Sequence, residues 1–288
     1  MIFLLNESLP DFPILEISHP ALTARVALQG AHLLDWTPTG QAPVLYLSPQ
    51  ATFVREKAIR GGVPVCWPWF GPHPQDALLP AHGFARTQMW TLAHHRAQAD
   101  EVHLQFILTD SEATRRLWPH AFQLELTMTL GARLHLQLRM KNLSDANVIL
   151  STALHTYFQT ADILQTRITG LDGVPYHEVI TDPPNQTQAG DVTFHSEVDR
   201  LYASGAPVQI HDPVSRRRIA ISSTGSASCV VWNPWQEKSR RLTDLPDADY
   251  QRFLCVETTN AGADTRQLAP GETHVLTQTI ETTQMDLA

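Results

Sequence analysis

The sequence predicts an all-β protein built as one large antiparallel β-sandwich, and three observations support this prediction. Apolar and polar residues alternate over 122–130 and again over 134–140, which is the pattern of strands that bury one face. Similar short runs recur along the chain, separated by clusters of Asp, Asn, Gly and Pro. Helical periodicity is scarce, so strands do not alternate with helices as they do in a parallel α/β sheet.

The clearest predicted element is a β-hairpin, in which a short Gly-containing loop joins 122–130 to 134–140. The best helix candidate, 111–118, ends before Pro119. No fixed-period repeat or linker-like segment divides the chain, so we expect residues 1–288 to form a single domain. The other predicted strands are 14–18, 24–28, 32–36, 44–47, 102–108, 149–158, 208–211, 218–222, 228–232, 252–258 and 274–281.

Composition and charge exclude several classes of protein. Of the 288 residues, 43% are hydrophobic and 17% are charged, which excludes disordered and collagen-like chains. Lys and Arg number 21 and Asp and Glu number 29, so the formal net charge is −8. This balance disfavours a nucleic-acid partner or a polybasic membrane contact. An anionic ligand would therefore need a local basic cluster.

Cysteine usage and the N-terminal residues indicate a reducing compartment. Cys66, Cys229 and Cys255 are odd in number and contain no CxxC pair, which disfavours a disulfide framework or a zinc ribbon. The apolar run 1–5 is too short for a signal peptide and no Lys or Arg precedes it. Nor does any stretch approach the roughly 20 apolar residues of a membrane span. We expect a cytoplasmic, monomeric protein with no membrane partner.

Common cofactor and metal motifs are missing from the sequence. It contains no GxGxxG, no GxxxxGK[ST] and no HExxH. The densest histidine group is His94, His95 and His103, but adjacent strand residues point to opposite faces, so the first two cannot chelate together from one strand. We expect no metal and no cofactor.

Residues 60–86 depart from ordinary strand-and-turn patterning, because prolines, glycines and aromatic residues accompany two arginines there. One interpretation is a rigid loop packed by its aromatic side chains. The other is the wall of a sugar site, in which aromatic faces stack on the C–H face of a pyranose. Composition does not choose between the two.

Two later positions are candidates for acid–base chemistry. Glu257 shares a strand face with Phe253 and Cys255, so its carboxylate is either paired or partly desolvated with a raised pKa, as a general base working near neutrality requires. His155 lies in the run 149–158 among small neighbours that leave room for a ligand. Taken singly, such residues are more often structural.

A set of short strings, in order from about residue 60 to 260, resembles the hexose-6-phosphate mutarotases, the glucose-6-phosphate 1-epimerase branch of the aldose 1-epimerase family. Agreement in order over several segments is more specific than any one motif. The strings are Arg60-Gly61-Gly62-Val63-Pro64, Trp67-Pro68-Trp69-Phe70-Gly71, His82-Gly83-Phe84-Ala85-Arg86, Leu154-His155-Thr156-Tyr157-Phe158, Val198-Asp199-Arg200-Leu201-Tyr202, Val231-Trp232-Asn233-Pro234-Trp235 with Lys238, and Cys255-Val256-Glu257.

The resemblance implies a galactose-mutarotase-like supersandwich and cofactor-free interconversion of α and β sugar anomers. It implies that His155 is the catalytic acid and Glu257 the catalytic base. The residues implied to contact the sugar phosphate are Arg60, His82, Arg86 and Asp199. One position departs from the pattern, because Ala81 stands where this branch often has a substrate-binding Gln.

The reaction itself needs one acid and one base. Opening a cyclic hemiacetal moves a proton off the C1 hydroxyl and another onto the ring oxygen, and we expect groups on opposite sides of the sugar to do this. Glu257 would take the hydroxyl proton, and His155 would protonate the ring oxygen as an imidazolium. A nearby phosphate would raise the pKa of that imidazolium.

The preference for a phosphorylated sugar depends on Arg60 and Arg86, with Lys238 as a weaker third candidate. Alternatively, one or both arginines merely pair with surface carboxylates. Because its carboxylate cannot favour a phosphate, Asp199 is expected to contact a sugar hydroxyl. Two rival functions are the same chemistry on unphosphorylated aldoses and a non-catalytic sugar-binding β-sandwich. A glycosidase fits least, since it needs a pair of carboxylates.

Overall fold

The computed structural model describes residues 3–9, 11–183 and 186–285. None of the helices within these ranges is long and apolar enough to cross a membrane. In chain order the strands are β1 (Phe3–Asn6), β2 (Ile14–His19), β3 (Leu22–Ala27), β4 (His32–Pro38), β5 (Val65–Cys66), β6 (Thr91–Ala97), β7 (Val102–Thr109), β8 (Phe122–Leu130), β9 (Arg133–Asn142), β10 (Val148–Leu150), β11 (Thr152–Leu154), β12 (Tyr157–Gln159), β13 (Arg167–Thr169), β14 (Pro175–Glu178), β15 (Gln186–Thr187), β16 (Val192–Thr193), β17 (Val198–Tyr202), β18 (Val208–Asp212), β19 (Arg217–Thr224), β20 (Ser228–Asn233), β21 (Phe253–Asn260), β22 (Arg266–Leu268) and β23 (Thr273–Gln284). The helices are α1 (Glu112–Leu117), α2 (Trp235–Ser239) and the 3₁₀ turns Ala85–Thr87, Asp249–Arg252 and Gly262–Asp264.

Two large antiparallel sheets dominate the described residues. One has nine strands in the order β16-β13-β18-β19-β23-β9-β8-β7-β6. The other has eight, in the order β15-β14-β17-β20-β21-β11-β5, with β12 also paired to β21. The strands β1 to β4 form a smaller sheet, and β10 pairs with β22. The predicted all-β fold of packed antiparallel sheets is confirmed.

The main core lies between the large sheets. Along β8 and β9 every second residue is buried, as in Leu126 and Leu138, which are cross-strand partners. These side chains belong to the same hydrophobic cluster as Leu254 and Val256 of β21 in the other sheet. Burial of alternate residues removes apolar area from water at about 25 cal/mol per Å², which explains the alternation that the sequence displays.

The strand β21 is buried on both faces, and this positions the functional site. Leu254 and Val256 point into the main core, whereas Phe253 and Cys255 join a second cluster on the opposite face of the eight-stranded sheet. That cluster also includes Trp232 of β20. The face that points away from the main core is therefore covered by loops rather than open to water.

The predicted hairpin is confirmed by continuous pairing of β8 with β9, and the predicted helix is confirmed as α1. Ser111 caps α1 by accepting a hydrogen bond from the backbone N–H of Thr114. Two strand predictions need correction. The segment 44–47 makes only isolated bridges at Leu45 and Leu47. The run 149–158 is divided into β10, β11 and β12. The backbone N–H of Ser151 bonds to Pro68 at the first break, and that of His155 bonds to Pro64 at the second.

Several strands had no clear signal in the sequence. The edge strand β6 buries neither face, so its residues do not alternate between apolar and polar. The strands β13 to β16 are two to four residues long, too short for a periodic pattern. The short helix α2 follows Pro234 and has a single buried residue, Ser239.

Candidate active site

A row of neighbouring side chains crosses the loop-covered face of the eight-stranded sheet. Asp199 of β17 pairs with Trp232 of β20, Trp232 pairs with Cys255 of β21, and Cys255 pairs with Tyr157 of β12. Directly opposed residues of an antiparallel pair point to the same face with their Cβ atoms about 5 Å apart. Strand register thus brings together residues from four distant parts of the sequence.

The next row contains the two acid–base candidates. Val230 of β20 pairs with Glu257, two residues along β21 from Cys255. His155 directly follows Leu154, which pairs with Thr258 on the other side of β21. The predicted shared face of Phe253, Cys255 and Glu257 is confirmed.

Two glycines hold the loop that carries Arg60 tightly against the sheets. Gly61 has φ 115° and Gly62 has φ 62°, in the region that favours glycine. A Cβ on Gly61 would lie 2.5 Å from the carbonyl oxygen of Tyr46, and one on Gly62 would lie 2.2 Å from that of Leu33. The absence of side chains at 61 and 62 therefore lets the backbone after Arg60 pass between β4 and the segment 46–48.

A second tight turn places His82. Its own φ is 65°, and a Cβ on the following Gly83 would lie 2.0 Å from the carbonyl oxygen of Trp67. The backbone N–H of Gly71 donates to His82 Nδ1 at 3.3 Å. In the neutral imidazole the proton is then on Nε2, where it can be donated to a ligand.

These elements enclose a cavity of about 280 Å³ that is lined by all six predicted site residues. Its size and its mixture of aromatic and charged groups suit a small polar ligand. The lining residues are Ala58, Ile59, Arg60, Phe70, His82, Arg86, His155, Tyr157, Asp199, Val230, Trp232, Lys238, Leu242, Asp244 and Glu257.

His155 and Glu257 are in direct contact, with 3.3 Å between Nε2 and Oε1. Their side chains are only 10% and 2% exposed. His155 Nδ1 and Glu257 Oε2 are buried and have no hydrogen-bond partner among the described residues. Such unsatisfied polar atoms are rare in proteins, and here they lie in residues that line a cavity, as expected for groups that complete their hydrogen bonds with a ligand.

The electrostatic environment favours the neutral form of each member of this pair. Burial raises the pKa of Glu257 well above its usual value, and the charge of Asp199 adds to the shift. Burial also lowers the pKa of His155 well below its usual value, and the charges of His82, Arg86 and Arg60 lower it further. Burial similarly lowers the pKa of His82 to about 3.

Arg60 has two fixed contacts. Its Nε donates to Asp244 Oδ1 at 3.2 Å, and its Nη1 donates to the hydroxyl of Tyr157 at 3.0 Å. Arg60 thus pairs with a carboxylate, but that carboxylate lines the same cavity and is not the surface partner of the alternative interpretation. The pair belongs to the site and is not a surface ion pair.

Arg86 and Lys238 differ in how far their charges are compensated. Arg86 Nη2 donates to the carbonyl oxygen of Ala81 at 2.8 Å, and its buried Nε has no partner among the described residues. Lys238 Nζ lies 2.9 Å from Glu197 and 3.5 Å from Asp199. Arg86 is therefore the better candidate to hold an anionic group.

The aromatic residues of 60–86 correct one sequence hypothesis. Trp67 and Trp69 are 1% and 4% exposed and belong to the main core, so they do not form a sugar-binding wall. Phe70 does line the cavity. The rigid-loop interpretation is therefore correct for the two tryptophans.

Several residues that line the cavity have no role predicted from the sequence, and those with polar or aromatic side chains include Tyr157, Trp232 and Asp244. The first two stand inside strings already singled out, so a same-face argument along β12 and β20 could have found them. Asp244 lies in an irregular segment, and no periodic signal marks it.

Three potential metal ligands also meet here. One ligand atom each of His155, Cys255 and Glu257 lies within 4.8 Å of the others. Zinc bonds of 2.0–2.3 Å bring the ligand atoms of a tetrahedral site to roughly 3.3–3.7 Å from one another, so this group would have to contract. Arg60 and Arg86 line the same cavity and oppose a cation. The arrangement fits a proton-transfer site better than a metal centre.

Comparison with known proteins agrees with this geometry. The chain is 39% identical to an Escherichia coli protein provisionally named glucose-6-phosphate 1-epimerase, over 96% of this chain and 92% of the relative. The fold superposes on the crystal structure of a provisionally assigned mutarotase from Salmonella typhimurium with a TM-score of 0.92 and 36% identity, covering 98% of this chain and 94% of that one. It shares its fold with galactose 1-epimerase from Lactobacillus acidophilus, at a TM-score of 0.76 and 14% identity, over 99% and 98% of the two chains. Residues 13–281 match the aldose 1-epimerase family, and the chain therefore belongs to that family.

Proposed function

We propose that this protein interconverts the α and β anomers of a hexose 6-phosphate, with glucose 6-phosphate as the expected substrate. The observation that carries the proposal is the buried contact between His155 and Glu257 in a cavity that also holds Arg60 and Arg86. The name of the 39% identical relative supports the same substrate. An acid, a base and an anion-binding group are what the reaction requires.

The contact between acid and base suits the two oxygens that react. The C1 hydroxyl oxygen and the ring oxygen are bonded to the same carbon, so one proton leaves and another arrives within a very small volume. The expectation that acid and base stand on opposite sides of the sugar is not met, since the two side chains are 3.3 Å apart. Neighbouring groups can serve two oxygens on one carbon equally well.

The proton count of the pair allows the reaction in both directions. One shared proton gives either Glu-COOH with neutral His155 or Glu-COO⁻ with imidazolium. Burial by itself favours the first. A substrate hydroxyl donating to the carboxylate, together with a phosphate dianion near the imidazole, favours the second. Glu257 then accepts the C1 hydroxyl proton while His155 protonates the ring oxygen.

Ring opening gives the free aldehyde, and rotation about C1–C2 presents its other face. Reclosure reverses both transfers, so the pair regains its starting protonation state and the anomer is inverted. General acid and base groups of this kind typically contribute about 10²–10⁴-fold each.

The other cavity residues would hold the sugar phosphate in place. We assign the phosphate to Arg60 and Arg86, whose guanidinium groups can form paired hydrogen bonds to phosphate oxygens. We assign Asp199 and the Nε2–H of His82 to sugar hydroxyls. Lys238, held by two carboxylates, serves to orient Asp199.

We further propose that the protein acts in the cytoplasm as a monomer folded as one domain. Cys66, Cys229 and Cys255 are all unpaired and buried, which agrees with a reducing compartment. Size-exclusion chromatography with light scattering would test the monomer, and a stable dimer would contradict it.

Anomer exchange measured by NMR tests the function directly. The wild-type protein should exchange the anomers of glucose 6-phosphate faster than those of glucose, and Arg86→Ala should lose most of that preference. Arg133→Ala, at an exposed position in the β8–β9 hairpin, is the matched control. A preference for free glucose that persists in Arg86→Ala would contradict the phosphate assignment. Sugar phosphate binding without any exchange in the wild type would indicate a binding protein.

A further inference from the structure

We propose that Tyr157 is a positioning residue that holds the phosphate-binding Arg60 and the acid–base residue His155 in one rigid unit. This inference rests on the proposed function and deepens it. The hydroxyl of Tyr157 would fix the guanidinium, and its ring would fix the imidazole. Tyr157 would thus contribute to the selection of phosphorylated over unphosphorylated sugars.

The guanidinium of Arg60 is held from two directions. A guanidinium has five N–H donors in a planar fork. One of them goes to Asp244 at 3.2 Å and one to the hydroxyl of Tyr157 at 3.0 Å. Two contacts to different atoms of the fork fix the orientation of its plane. Three donors then remain for a ligand in the cavity.

The ring of Tyr157 stacks on the imidazole of His155, with centroids 4.9 Å apart and an angle of 9° between planes. Other aromatic rings hold Tyr157 in turn, with Phe253 at 5.4 Å and Trp232 at 6.0 Å. Tyr157 is only 2% exposed. A displacement of this ring would therefore move the imidazole as well as the hydroxyl.

The hydroxyl keeps its proton in this environment. Burial raises the pKa of Tyr157, although the charge of Arg60 opposes the shift. Because the oxygen accepts a hydrogen bond from Arg60, the O–H hydrogen remains free to donate. A neutral phenol beside the guanidinium adds a donor without adding a negative charge that would repel phosphate.

The test is the variant Tyr157→Phe, which removes the hydroxyl and keeps the ring stack. Loss of a hydrogen bond to a charged group typically changes an equilibrium about tenfold or more. We expect KM for glucose 6-phosphate to rise about tenfold, with kcat within about twofold of the wild type. For glucose, kcat/KM should not change. Asp244→Asn, which weakens the other contact of Arg60, should give the same pattern.

The matched control is Tyr250→Phe. Tyr250 is also buried, at 5% exposure, and its hydroxyl accepts hydrogen bonds from two glutamines, but it does not line the cavity. This variant should leave the kinetic constants for both sugars unchanged. A general loss of structure would instead lower kcat/KM for glucose and glucose 6-phosphate by the same factor.

The role of Tyr157 and the proposed function of the protein can be contradicted by different results. Unchanged KM for glucose 6-phosphate in Tyr157→Phe, in an active protein, overturns the role of Tyr157 alone. If the wild type exchanges neither sugar, the proposed function fails, and calorimetric titration with glucose 6-phosphate still tests the residue. In that case equal affinity of wild type and Tyr157→Phe would overturn the inference.

Discussion

At the scale of single residues, the same burial that equips Glu257 for catalysis costs stability. In the unfolded chain this carboxyl has its ordinary pKa of about 4.5. In the folded protein, burial raises the pKa of Glu257 well above that value. Above pH 4.5 the carboxyl is ionised in the unfolded chain, and burying it then lowers the free energy of unfolding. A catalytic group that is held away from its preferred charge state is a recurrent feature of active sites.

Glu257→Gln should consequently separate activity from stability. We expect anomer exchange to fall by roughly 10²–10⁴-fold, because the amide cannot accept the C1 hydroxyl proton. Thermal unfolding at pH 8 should occur at the same temperature as in the wild type or higher, because the desolvated carboxyl is gone. Near-normal exchange would contradict the assigned role, and a clear fall in melting temperature would contradict the electrostatic argument.

The sequence predicts a candidate site residue where a polar side chain falls on an otherwise apolar face of a strand. Glu257 interrupts an apolar face, and the sequence alone shows this. The contacts that Tyr157 and Asp244 make with Arg60 could not be found in that way, because Arg60 is 97 and 184 residues away from them in the chain. Neighbours of that kind exist only after the sheet has formed.

At the scale of elements, the glycine turn after Arg60 connects the fold to the site. Gly62 lies against β4, where a Cβ would meet backbone atoms of Leu33 and also the imidazole of His32 at 2.9 Å. His32 is fully buried and its Nε2 lies 2.7 Å from the carbonyl oxygen of Gly61. The turn and β4 are thus tightly packed against each other.

Gly62→Ala should therefore disturb both stability and substrate binding. The left-handed backbone costs about 1–2 kcal/mol for alanine, and the contact with backbone atoms adds to this, so we expect a loss of more than about 2 kcal/mol in urea unfolding. The KM for glucose 6-phosphate should rise because Arg60 is displaced. Gly40→Ala is the control, since Gly40 has φ 79° but nothing within 4 Å of its Cβ position. Equal losses in the two variants would show that steric contact is unimportant.

Strands could be predicted from the sequence where one face of the strand is buried and the other is in contact with solvent. That condition holds for β7, β8 and β9, whose residues alternate along their whole length. It fails for β6, which has no buried face, and for the segment 149–158, where backbone bonding to Pro68 and Pro64 breaks one run into three strands. In 149–158 the deciding contacts are made with a distant part of the chain, whereas β6 is an edge strand that, among the described strands, pairs with its neighbour β7 alone.

At the scale of the whole molecule, the two faces of the eight-stranded sheet have different roles, one in stability and one in the candidate active site. One face stabilises the fold against the nine-stranded sheet, and the other carries the cavity. The net charge of −8 disfavours polyanionic partners yet allows a small cavity that contains Arg60, Arg86 and Lys238. Composition therefore gives no information on the local charge of the site.

Buried histidines should make the stability of the whole fold depend on pH. Burial lowers the pKa of His32 to about 4 and of His82 to about 3, and it lowers that of His155 as well. Between pH 6.5 and about 4 the unfolded chain therefore binds more protons than the native protein at these positions. Stability rises with pH wherever the unfolded state binds more protons, so it should fall as the solution is acidified.

Carboxyl groups with raised pKa values, such as Glu257 and Asp199, act in the opposite direction above pH 4.5 and reduce the slope. Each fully contributing histidine supplies up to about 1.4 kcal/mol per pH unit. We expect the free energy of unfolding in urea to decrease by more than about 1 kcal/mol between pH 7 and pH 5. His32→Gln should reduce that decrease, because glutamine does not titrate. A free energy that stays constant or rises on acidification would mean that the buried histidines do not control the pH dependence of this fold.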